Sequence, residues 1–417
     1  MDILIRNVLI GNEITDIQIS GTRISSIGKN PDFKAGKIIE ASGLAALPGL
    51  MNAHTHAAMT LMRGYADDIP LQPWLEQKIW PMEKKLTEED VYWGARLAIL
   101  EMIRSGTTFF NDMYWHFEAT ARAVNDSGIR ASLASVFFDF GNSEMRQSQI
   151  EKTERLFEKY HQPGSAITFS LGPHAIYTVS EESLRWIAGF AREHDLLVTI
   201  HSNETKHEVE QCITQHGCRP IEWVEKCRLT DARLLACHAI WVDENEMDIM
   251  ATKNITPVYN PVSNCKLASG LSFPLKRYLD RGIQPVLGTD GCASNNSLNM
   301  AETMKFAALI QKGICNDPTA LPARLAFDMA TSYTAKAFNL ETGALQPGLL
   351  ADIILVDLQT PEMTPCHNLI SNMVYASSAQ HIHTVICNGN ILMENRKVKD
   401  EEEIVSQAKA CAERLAG

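Results

Sequence analysis

The chain has 417 residues, 45% of them hydrophobic and 21% charged, with a formal net charge of −12. A chain of that length buries a large core without help from disulfides or metals. The acidic balance, with no basic stripe to offset it, argues against nucleic acid or an anionic membrane surface as partner, and no apolar run approaches a membrane span.

The first forty-odd residues read as short strand-like runs, ILIRNVLI, DIQISGTRISSIG and KIIEAS, separated by Gly and Asn, which suggests an antiparallel unit. The opening MDILIRNVLIGNEITD alternates apolar and polar residues and lacks the basic and apolar regions of a signal peptide. Ten cysteines are scattered without a CxxC pair, and Cys237 and Cys265 fall in strand-like segments, as buried thiols do. A thiol-rich chain without a leader is expected in the cytoplasm.

From about Ala46 apolar runs alternate with amphipathic helical stretches, the pattern of βαβ units. The strand candidates are AALPGLMNAH, TTFFND, ASLASVFF, AITFSLGPH, LLVTIH, RLLACH, TPVYN and QPVLGTD. Helical stretches such as DVYWGARLAILEMIRSG, EESLRWIAGFAREHD and HEVEQCITQHG lie between them. Eight parallel strands with helical crossovers close into a (β/α)8 TIM barrel. A doubly wound open sheet is the alternative, but no GxGxxG follows the first strand. After Asp290 come the helical SLNMAETMKFAALIQKG and PARLAFDMATSYTAKAFNL, then strand-like ADIILVDL and HTVICNGNILMENRKV, then the helix EEEIVSQAKACAERLAG. The terminal β segments are expected to pair into a small β-sandwich domain. On this reading residues 1–48 are its first part, 49–345 the barrel, and 346–417 its second part with a terminal helix.

Polar residues gather where the strands stop. Strand one ends in His54-Thr-His56, strand four at His174, strand five at His201, strand six at His238 and strand eight at Asp290. In a barrel these ends share the face that carries chemistry. His54 and His56, two apart in extended chain, point to the same side, and His201 and Asp290 can complete three imidazoles and one carboxylate. Such N/O ligation suits a divalent ion with an open position for water. A lone strand-end histidine is more often a structural hydrogen bonder; four, with an aspartate at the eighth strand, are hard to obtain by chance. Glu204, three residues after His201, offers a neutral acid to a ring nitrogen once buried, although an acid near a helix start is also ordinary dipole chemistry. His238 is the candidate to orient the attacking water, and Asp290 to take its proton.

PGLMNAHTH, GPHAIY, TIHSNE, ACHAIW and LGTDGCASNN resemble the amidohydrolase superfamily in its mononuclear deaminase and chlorohydrolase branch. WLEQKIWPMEKKLTEEDVYWG, NPVSNCKLASG and TDGCASNNSLN are similar to the 5'-methylthioadenosine/S-adenosylhomocysteine deaminases, and the likeness covers nearly the whole chain. The resemblance implies metal ligands at His54, His56, His201 and Asp290, and an acid at Glu204. Strand four, AITFSLGPH, lacks the Lys that bridges two metals in binuclear relatives, so one ion is expected, Zn2+ first, with Fe2+, Ni2+ or Mn2+ as alternatives. It further implies that Glu83 receives the ribose hydroxyls, that His174 donates to a purine nitrogen and that Trp74 packs on the base or the 5' substituent. Arg146 is the arginine left to meet a substrate carboxylate, since Ser135 stands where strand three would otherwise offer one.

The implied activity is hydrolytic deamination of 5'-modified adenosines (5'-methylthioadenosine, S-adenosylhomocysteine, 5'-deoxyadenosine or adenosine itself) to the inosine analogue and ammonia. The alternatives are a heterocycle hydrolase of the same branch, an s-triazine chlorohydrolase or another nucleobase deaminase, and, least favoured, an inactive scaffold. The expected partner is a small nucleoside, with no nucleic acid and no membrane, and barrels of this size are expected by analogy to form homo-oligomers.

Overall fold

The computed structural model describes residues 2–30, 32–162 and 164–417. Five strands open the chain: β1 (Ile3–Ile10), β2 (Glu13–Ser20), β3 (Arg23–Ile27), β4 (Lys37–Glu40) and β5 (Leu44–Pro48). The first three form the expected antiparallel meander, but β4 and β5 lie parallel to β1. β4 and β5 thus pair with β1 on the side away from β2 instead of continuing the meander beside β3.

The run AALPGLMNAH is two strands rather than one, because the chain leaves the first sheet at Gly49. A Cβ there would sit 2.3 Å from Thr108 Oγ1, so only glycine lets the backbone pass. Beyond it come β6 (Leu50–Thr55), β7 (Thr107–Asp112), β8 (Arg130–Phe137), β9 (Ile167–Pro173), β10 (Leu197–Ser202), β11 (Arg233–His238), β12 (Thr256–Tyr259) and β13 (Val286–Leu287). All seven neighbouring pairs are parallel and in chain order, so each of the eight expected barrel strands is present. The last and first strands meet through side chain and loop. Asn52 Nδ2 donates to Thr289 Oγ1 (2.7 Å), Thr289 N–H to Asn52 Oδ1 (3.0 Å) and Asp290 N–H to the His54 carbonyl (3.0 Å).

The outer faces of the strands pack under the helices through residues such as Leu50, Phe110, Leu133, Phe169, Ile200 and Leu287. Met51, Phe109, Leu235, Cys237, Val258 and Val286 form a separate core that Phe338 also joins. The run PARLAFDMATSYTAKAFNL, read as one helix, is two, Ala323–Met329 and Ser332–Ala337. The carbonyl of Ala330 turns away from the helix axis to accept from Met51 N–H of β6 (2.8 Å), which breaks the ladder there.

The chain then returns to the first sheet with β14 (Ile353–Asp357), β15 (Ile382–Cys387), β16 (Asn390–Glu394) and β17 (Lys397–Val398), and β14 pairs antiparallel with β5. Nine strands from both chain ends thus make one sheet around its own core of Ile3, Ile5, Ile17, Ile19, Ile353 and Leu355. The terminal helix Glu401–Ala416 leaves this sheet to lie on the barrel helix Glu88–Arg104, tied by the Arg414–Asp90 ion pair. No helix among the described residues is long and apolar enough to cross a membrane.

Candidate active site

At the C-terminal ends of the barrel strands, polar side chains converge on one carboxylate. His54 Nε2 and His56 Nε2 lie 3.5 and 3.3 Å from Asp290 Oδ1, and His201 Nε2 lies 3.2 Å from His54 Nε2. Two ligands bound at about 2.1 Å to one tetrahedral ion stand about 3.4 Å apart. The opposite ring atoms of the histidines are engaged. His56 Nδ1–H donates to the Met113 carbonyl (2.6 Å), His201 Nδ1–H to the His174 carbonyl (2.8 Å), and His54 Nδ1 meets the Cys237 thiol (3.4 Å). Carbonyls only accept, so the rings of His56 and His201 are oriented with Nε2 free to present a lone pair inward. This donor set fits one divalent cation.

Asp290 holds its place through several donors. Its Oδ2 accepts from Ser263 Oγ (2.6 Å) and Ser294 Oγ (3.1 Å), and Oδ1 from Gly291 N–H (2.8 Å). Burial disfavours its charge, but the hydrogen bonds and charges of His54 and His56 outweigh that and keep it well below the usual carboxylate range. Burial also pulls His56 down, and Asp290, Met113 and Asp112 reverse this and raise it to about 9. A cation binding there displaces that proton.

The backbone bends to aim several of these groups. Inward positions on β11 are Leu235 and Cys237, so simple alternation would turn His238 outward. His238 instead adopts φ 72° and Ala239 φ 44°, which brings the imidazole back over the barrel mouth. Asn264 Nδ2 sits 2.8 Å from its Nδ1, leaving Nε2 to face Glu204 Oε2 at 3.7 Å. Asp290 and Asn203 are likewise left-handed, at φ 65° and 54°, strain that concentrates where function is expected.

Glu204 is buried beside this cluster. Desolvation, then the charges of Asp290 and Glu208, raise its pKa well above the ordinary value, which favours the neutral, proton-bearing form. Its loop is held by two acids that pattern reading missed. Glu208 accepts from the N–H groups of Asn203 (3.0 Å) and Glu204 (2.8 Å), and fully buried Glu246 accepts from Asn203 Nδ2 (2.9 Å) and Arg219 Nε (2.7 Å). On sequence both resemble ordinary helix-start acids, so only the fold exposes them. Glu208→Ala is expected to lower unfolding free energy by about 1–3 kcal/mol, the cost of leaving those amides unpaired, and to lower kcat as Glu204 loosens. Urea unfolding together with steady-state rates checks both.

The cavity above the cluster is walled by Trp74, Trp80, Glu83, Tyr114, Trp115, Phe138, His174 and Tyr177, among others. Trp115 stacks on Phe138 (4.9 Å between ring centroids) and Phe138 on His174 (4.4 Å), forming a flat aromatic side. Burial and the neighbouring histidines lower His174 to about 3, so it is neutral. Trp74 donates Nε1–H to the Ala66 carbonyl (3.0 Å), which fixes its ring in the loop after β6.

Neither Ser135 nor Arg146 is placed in the cavity wall. Ser135 faces away from the mouth, with Oγ 2.9 Å from Thr153 Oγ1 under a helix; by strand alternation Val136 and Phe138 point into the cavity. Arg146 lies in the first turn of the helix Ser143–Tyr160, beyond the β8 strand end, and reaches Glu182 (3.7 Å) instead of the cavity. Among the described residues, neither Arg nor Lys lines that cavity.

The amidohydrolase family model matches residues 45–392. Over 419 residues the chain is 47% identical to a 5'-deoxyadenosine deaminase of Methanoregula boonei, covering 99% of this chain and 95% of that one. It is 43% identical to 5-methylthioadenosine/S-adenosylhomocysteine deaminase 1 of Archaeoglobus fulgidus, covering 96% and 95%. Its fold superposes on the zinc-bound crystal structure of an adenosine deaminase from Xanthomonas campestris with a TM-score of 0.93, at 31% identity, covering 100% and 98%.

Proposed function

This chain belongs to the amidohydrolase family, and we propose that its site deaminates 5'-modified adenosines hydrolytically, releasing ammonia and the inosine analogue. The observation that carries this reading is one cavity with the His/Asp cluster and buried Glu204 at its floor and the Glu83 carboxylate in its wall. A nucleobase alone would give Glu83 nothing to accept from; vicinal ribose hydroxyls would.

The enzyme uses a divalent metal. We assign one ion, zinc, to His54, His56, His201 and Asp290, since imidazole and carboxylate donors at these separations suit it. When bound, such an ion makes a water nucleophilic at neutral pH. The remaining steps belong to side chains. Asp290 accepts the proton that water releases, and His238 Nε2 orients the attack on the amino-bearing carbon. Glu204, whose raised pKa favours its acid form, gives its proton to the adjacent ring nitrogen as aromaticity is lost. Asp290 then passes its proton to the amino nitrogen, the C–N bond breaks to free ammonia, and the hydroxyl proton lost as the carbonyl forms restores the acid. His174, neutral and stacked against Phe138, is placed to meet a purine nitrogen, and Trp74 to pack on the substrate. We further propose that it works in the cytoplasm and, by analogy with barrels of this size, as a homo-oligomer.

Ammonia release from metal-loaded enzyme tests this across adenosine, 5'-deoxyadenosine, 5'-methylthioadenosine, S-adenosylhomocysteine, free adenine and a chlorotriazine. Fast turnover of the 5'-modified nucleosides is expected. With no Arg or Lys among the described residues lining the cavity, the deoxy and methylthio substrates should outrun the homocysteine one. Activity confined to the free base or the triazine would overturn the role given to Glu83.

A further inference from the structure

Tyr114 raises a question that the metal chemistry leaves open. It follows Met113, whose carbonyl anchors His56, and its ring centroid lies 6.2 Å from that of His56. The side chain is buried in the cavity wall, yet its hydroxyl has no hydrogen-bond partner among the described residues. Leaving such a group dry and unpaired is costly, so a native protein that keeps one has a use for it.

Its neighbour across the cavity is Glu83, close enough that the carboxylate adds to the rise in the phenol's pKa that burial causes. Burial raises Glu83 in turn, and the Trp115 indole and Tyr114 hydroxyl oppose that rise. The two residues belong to different walls. Glu83 ends the short helix Trp80–Glu83 in the excursion after β6, and Tyr114 sits in the loop after β7. A buried phenol that meets no partner by hydrogen-bond geometry and a carboxylate in the same cavity wall are complementary to a group that both donates and accepts. A sugar hydroxyl is such a group: its proton goes to a carboxylate while its oxygen accepts from a phenol.

We propose that Tyr114 and Glu83 together clamp a ribose hydroxyl, with Tyr114 Oη–H donating to the hydroxyl oxygen and Glu83 accepting its proton. Tyr114 is then a specificity determinant that ties the sugar to the segment carrying the His56 anchor. This rests on the nucleoside reading above. It explains why a hydroxyl stands here where phenylalanine would pack as well, and it selects nucleosides over bare heterocycles independently of the metal.

The test compares wild type and Tyr114→Phe by steady-state ammonia release, using 5'-deoxyadenosine and the same nucleoside lacking both ribose hydroxyls. Loss of one hydrogen bond should raise KM for 5'-deoxyadenosine about tenfold, with the change falling on KM more than kcat. For the hydroxyl-free substrate, wild type and variant should coincide. The melting temperature should hold or rise, because the variant removes an unpaired buried hydroxyl; a purely structural tyrosine would lower it. An unchanged KM, or equal changes for both substrates, overturns the clamp while leaving the deaminase intact. No ammonia from any nucleoside with wild type would instead overturn the deaminase reading itself.

Discussion

Glu204→Gln is expected to lower kcat by about 10²–10⁴-fold while the protein keeps its metal and fold. The amide matches the carboxylic acid in shape and still donates a hydrogen bond, so the neighbouring His238 is undisturbed at 3.7 Å. The amide cannot release a proton to a ring nitrogen, and that is the property under test. Burial beside Asp290 and Glu208 favours the neutral form of the wild-type group, so the substitution should change little electrostatically in the resting enzyme. For that reason metal content and melting temperature should match wild type, and KM should move little. A variant retaining more than about a tenth of wild-type kcat would remove Glu204 from the proton path. Glu208, whose pKa is raised to about 7 mainly by burial, would then be the next group to question.

The contrast between Glu204 and its supports shows what was legible in the letters. Metal-site candidates and the acid were visible because strand-end histidines and a nearby carboxylate are rare combinations, and chain order alone assigned them to one barrel face. The eight strands were visible because each is a short apolar run bounded by turns or helices. Other features depend on long-range geometry that carries no local signature. Gly49 ends one sheet and begins another because Thr108, 59 positions on, leaves no room for a Cβ. His238 faces the cavity only through a left-handed backbone that strand alternation does not foretell. Ser135 was misjudged by one residue of register, which in a strand is the difference between the mouth and the helix layer. Nothing in NDMYWH marks Tyr114; its unpaired hydroxyl exists only once the walls have closed around it.

His54→Ala should abolish turnover and metal binding together, and here the expected loss is larger than for the acid. His54 is fully buried and stands within 3.5 Å of both Asp290 and His201, so its removal takes out the member that the two candidate ligand groups share. What remains includes His56 and Asp290, a pair whose mutual attraction raises His56 to about 9 and so favours a proton over a cation at neutral pH. Metal analysis should find well under one ion per chain, and activity should fall to background. Stability responds too. A ligand held at a thousand times its dissociation constant adds about 4 kcal/mol to folding, so wild type treated with a chelator should melt lower than metal-loaded wild type, whereas His54→Ala should show no such difference. If the variant kept stoichiometric metal, His201, His238, His56 and Asp290 would suffice as ligands, and His238 would pass from orienting water to holding the ion. The chelator experiment separates these cases, because a metal held without His54 would still shift the melting temperature of the variant.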